Sequence, residues 1–119
     1  MDQQDKDKIR KIIIDRKRAH KFFSENSDVY NSFIDMEGKT FTDGNLSKMH
    51  KELIALGISV YRNCESCMEW HLKQALDSGA TTGQIIETIN VGIEMGGGVA
   101  TVAARFAMNV LEYHTRSTE

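Results

Sequence analysis

"KMHKELIALGISVYRNCESCMEWHLKQALDSGATTGQIIETI", residues 48–89, is the stretch whose reading decides the fold. Met49, Leu53, Leu56 and Val60 recur at helical spacing and make one stripe, which Ile54 and Ile58 widen. Ser47 is a suitable N-cap, so a helix is expected over about 48–61. A second helix should start near Cys64 and end at "DSGA", with Gly79 taking the left-handed C′ position. A third opens at "TTGQ", where Thr81 and Gln84 have capping-box spacing, and carries Ile85, Ile86, Ile89 and Ile93.

Working outward, helical spacing continues and strand-like alternation never lasts more than a few residues. Toward the N-terminus, a helix over roughly 3–24 places Ile9, Ile12, Ile13, His20 and Phe23 near one face. A short one over about 27–37 carries Val29, Tyr30, Phe33 and Ile34, and "EGKTFTDGN", 37–45, reads as a loop. Toward the C-terminus, Gly96, Gly97 and Gly98 should break the fifth helix or let another backbone approach closely, since each glycine costs about 1 kcal/mol against alanine. "VATVAARFAMNVLEYH" then resumes helical spacing, with small residues suited to tight helix contact. The expectation is an all-α domain of five to six helices that spans 1–119.

The bulk properties exclude several classes. The chain has 119 residues, enough for one core, and a net charge of −2, too near neutral for a nucleic-acid footprint. The cations of the first helix, Arg16 among them, alternate with aspartates and read as a solvated face. No stretch approaches the ~20 apolar residues of a membrane span, and the polar start does not resemble a signal peptide. A cytoplasmic location is therefore expected. There, two cysteines seldom form a passive staple.

Those two, Cys64 and Cys67, are three apart, with His71 four further on. If Cys64 begins a helix, all three line one face. Unpaired N–H groups at a helix start favour a thiolate, the nucleophile toward peroxides and disulfides. His71 is placed to act as its base, and a sulfenic acid on Cys67 would lie within reach of Cys64. Other readings stay open. The cysteines are inert core residues, or they form a zinc half-site completed by His71 and His50, Glu52 or His114. A thioredoxin fold is rejected, because it needs strands and a cis-proline and the chain has no proline. Trp70 reads first as a core or interface residue and second as the wall of a peroxide pocket, His50 and His114 as surface or interface residues, and Met68, Met95 and Met108 as core fillers.

The Glu-Leu-Ile-Ala-Leu helix, Cys-x-x-Cys-x-x-x-His, the Gly-Ala-Thr turn, the Ile-rich helix and the triple glycine together resemble the carboxymuconolactone decarboxylase / AhpD-like family over about 46–114, which implies a core there with residues 1–45 as a helical extension. The resemblance implies an all-helical homo-oligomer, a hexamer in preference to a trimer or dimer. It implies an alkylhydroperoxidase with an antioxidant, peroxiredoxin-type activity. It needs no bound cofactor, and an external dithiol such as dihydrolipoamide regenerates it. Cys67 matches the peroxidatic nucleophile, Cys64 the resolving cysteine, and His71 and Glu52 a proton relay. Without the family, Glu52 would read as an unremarkable exposed glutamate. AhpD proper often carries a histidine directly before the second cysteine, where this chain has Ser66, and it has a second helical module. The cysteine pair argues against the decarboxylase branch. Two further readings are a metal- or ligand-binding helical module, and a non-redox enzyme using Glu52 and His71 as acid and base.

Overall fold

In a computed structural model, which describes residues 1–116, six helices follow one another: α1 (Gln3–Asn26), α2 (Asp28–Thr40), α3 (Lys48–Arg62), α4 (Glu65–Asp77), α5 (Thr82–Gly96) and α6 (Gly98–Arg116). The caps explain the boundaries. Asp2 and Asp5 form a capping box at α1, and Thr81 and Gln84 form one at α5. The Ser27 side chain accepts from the Tyr30 N–H, and that of Ser47 from the His50 N–H. Gly79, at φ 101°, follows the end of α4 in the expected left-handed conformation.

Two boundaries differ from expectation. The second helix runs to Thr40, past Gly38, so the loop is shorter than 37–45. A single glycine costs too little to stop a helix that is otherwise capped. The triple glycine breaks the chain only at Gly97, whose φ of 68° turns α5 into α6. A left-handed residue without a glycine signal, Asn63 at φ 55°, ends α3.

Helices α3 to α6 enclose the core, and α1 packs on α6 with α2 beside it. Leu56, Val60, Met68, Leu72, Ile85, Ala103 and Val110 are buried there, joined by Ile9 from α1. Helix α5 crosses α3 closely at Gly92: a Cβ at this position would meet the Gly57 carbonyl oxygen at 2.9 Å.

Several side chains expected inside are not. On α1 His20 and Phe23 are exposed and lie against Tyr30 of α2, a helix that buries no residue completely. Beyond Ile13 the helix has no core beneath it. Met95 and Met108 are exposed, while Met68 is the core filler it was read to be. Ile54 and Ile58 do not widen the buried stripe. With Tyr61, Val91 and Met95 they line an apolar groove of about 590 Å³ between α3 and α5, which His50 borders. Among the described residues no helix is long and apolar enough to cross a membrane.

Candidate active site

Where Asn63 ends α3, the Cys64 N–H donates to the Ser59 carbonyl at 3.0 Å and the chain re-enters a helix at once. Cys64 is thereby the N-cap of α4, and its Sγ accepts the Cys67 N–H at 3.4 Å. The two cysteines are joined as a disulfide at the positive end of the helix. His71 lies one turn beyond Cys67 on the same helix.

Glu52 is not the exposed glutamate that its position alone suggests; it is 2% exposed. Its Oε1 lies 2.8 Å from His71 Nδ1 and its Oε2 accepts from Lys48 Nζ at 2.8 Å, so the buried carboxylate is fully paired. A carboxylate only accepts, so Nδ1 carries the imidazole proton and Nε2 is left as the acceptor. Phe41 packs against the His71 ring with centroids 5.3 Å apart. Beside this pair a cleft of about 540 Å³ opens, lined by Phe41, Lys48, Glu52, Trp70 and Gln74 among others. Trp70 is thus a half-buried wall of the cleft rather than a core residue.

A second buried carboxylate lies on α4. Glu69 accepts Arg16 Nη1 at 2.5 Å and sits 2.6 Å from His114 Nε2. Burial pushes its carboxyl up, but the hydrogen bonds and charges of His114 and Arg16 outweigh that and hold it below the ordinary carboxylate value. Arg16 is therefore not part of a solvated face, and His114, 9% exposed at its side chain, is not a surface residue. The other Arg16 nitrogen, Nη2, donates to the Ser66 carbonyl at 2.9 Å and to Ser66 Oγ at 3.2 Å, and the guanidinium lies over the Trp70 ring. Glu69 was not found from the sequence: its partners come from helices far away in the chain, and no spacing announces them. His50 is held by Ser47 on the opposite, apolar side. Among the described residues no three His, Cys, Asp or Glu side chains are grouped as metal ligands.

The sequence profile of the Carboxymuconolactone decarboxylase family matches residues 27–109. The chain belongs to that family. A carboxymuconolactone decarboxylase family protein from Legionella pneumophila is similar in structure, with a TM-score of 0.79 at 29% identity over 90% of this chain and 97% of that one. A carboxymuconolactone decarboxylase family protein from Thermotoga maritima has a TM-score of 0.82 at 24% identity over 89% and 91% of the two chains, a likeness of fold. In sequence, the uncharacterised protein 4 in the cox locus of Paracoccus denitrificans is 37% identical over 86 residues, 72% of this chain and 78% of its own length. The matched region contains Glu52, Cys64, Cys67, Glu69 and His71, whereas Arg16 and His114 lie outside it.

Proposed function

We propose that this family member is a thiol-dependent peroxidase or disulfide oxidoreductase of the AhpD type. The observation that carries the reading is the cysteine pair at the start of α4 on the same helix as a histidine held by a buried carboxylate. In the reduced protein the Cys67 thiolate attacks the peroxide O–O bond. Sulfur takes one oxygen, and the departing alkoxide takes the proton that His71 Nε2 had accepted from the Cys67 thiol and leaves as alcohol. Cys64 gives up its thiol proton and its thiolate displaces hydroxide from the Cys67 sulfenic acid; that proton makes the hydroxide water, and the disulfide closes. An external dithiol such as dihydrolipoamide reopens it by two exchange steps, so the two electrons come from that dithiol and no bound cofactor takes part. The cleft beside Glu52 is where the organic part of the hydroperoxide would rest.

The protein would work in the cytoplasm as a homo-oligomer. The apolar groove between α3 and α5 supports this, since contiguous apolar surface on a small chain usually meets another copy.

The test is a thiol count on reduced protein after one equivalent of an organic hydroperoxide. Wild type should lose both thiols rapidly, and Cys67→Ser should keep its single thiol. Survival of both thiols in the wild type would sink the peroxidase reading and turn attention to disulfide substrates.

A further inference from the structure

Arg16 belongs to α1, outside the family match, yet it is bonded to the turn that carries both sulfurs. The Ser66 carbonyl that accepts from Arg16 Nη2 belongs to the same peptide group as the Cys67 N–H, and that N–H points at Cys64 Sγ. A cation on a peptide oxygen polarises the group and makes its N–H a stronger donor. We propose that Arg16 is a positioning residue that acts through the Ser66–Cys67 peptide to stabilise the thiolate of Cys64, the sulfur that caps α4. The proposal rests on reading the cysteines as a redox pair, but its central measurement needs no peroxide.

The neighbouring charges leave this task to Arg16. Lys8 of α1 is paired with Glu65 of α4 at 2.7 Å. Lys48 of α3 and His71 of α4 are both on Glu52, and His114 of α6 is on Glu69. Among the described residues Arg16 is the one side-chain cation hydrogen-bonded to the backbone of this turn. Its Nη1 is fixed by Glu69, an ionised and almost fully buried carboxylate, so the guanidinium cannot swing away without stranding that charge. Ser66 Oγ and the Trp70 ring hold its remaining faces.

The experiment titrates Cys64 alone, in the Cys67→Ser background, by thiolate ultraviolet absorbance. Adding Arg16→Met should leave about three- to tenfold less thiolate at neutral pH. In the two-cysteine protein, equilibrium with glutathione (disulfide plus two GSH against dithiol plus GSSG) should shift toward the disulfide, because the reduced form has lost support. His114→Gln, which loosens the same cluster without touching Ser66, should lower thermal stability and leave the titration within about twofold of its parent. Coincident titrations with and without Arg16→Met would overturn the proposal. So would an equal displacement by His114→Gln, which would mark a general loosening. Should Arg16→Met not fold, Arg16→Gln carries the same expectation. Peroxide inertness of the wild type would refute the peroxidase reading and leave this titration intact.

Discussion

Glu52 and Glu69 are two glutamates in the interior, and they do different work there. Glu52 fixes the tautomer of His71, so Glu52→Gln should slow the peroxide-driven loss of thiols about a hundredfold with little change in the fold. Glu69 binds α1 and α6 to α4, and Glu69→Gln should cost about 3 kcal/mol at neutral pH, because it leaves Arg16 without its counter-charge. The pH dependence has a definite sign. The folded carboxyl lies below its ordinary value of 4.5, so its stabilisation is complete above that pH and disappears as pH falls through the lower folded value. The urea midpoints of wild type and Glu69→Gln should therefore be well separated at pH 6 to 7, as roughly expected for a paired carboxylate, and converge in acid. Cys64, Cys67 and His71 were visible as a local motif, since their chemistry depends on spacings of three and four along one helix. The pairing of Glu52 with His71 as a relay came only from the family resemblance. The grouping of Glu69 with Arg16 and His114 could not be read, because an ion pair between distant helices leaves no periodic trace.

The elements themselves were written locally. Ser47, Thr81 with Gln84, and Gly79 sit where cap chemistry puts them. What local reading missed was the tolerance of helices for single glycines and the use of Asn63 as a terminator. The contact between α3 and α5 depends on a missing side chain: at Gly92 an added Cβ would lie 3.0 Å from the Val60 Cβ as well as against the Gly57 carbonyl. Gly92→Ala should destabilise the protein by about 1–3 kcal/mol in urea denaturation. Gly38→Ala in α2, where no atom lies within 4 Å, should instead stabilise it by about 0.5–1 kcal/mol. Equal effects at the two glycines would remove the close approach as the reason for Gly92.

At the scale of the whole molecule, helical periodicity located the apolar faces but not which of them the single chain covers. Ile54, Ile58, Val91 and Met95 are as periodic as the buried residues, yet they line an open groove. Light scattering should find a multimer, and Ile58→Glu with Val91→Glu should reduce it to a monomer; a wild type that is monomeric at high concentration would refute the self-association. The family match begins at residue 27, after α1, although Ile9 of α1 is fully buried in the core and Arg16 reaches the turn that carries the disulfide. In evolutionary terms, the proposal for Arg16 would place a control on the sulfurs in a helix outside the family match. Relatives that keep Glu52, Cys64, Cys67 and His71 but differ in the first helix would inherit the same reaction centre with a different electrical setting.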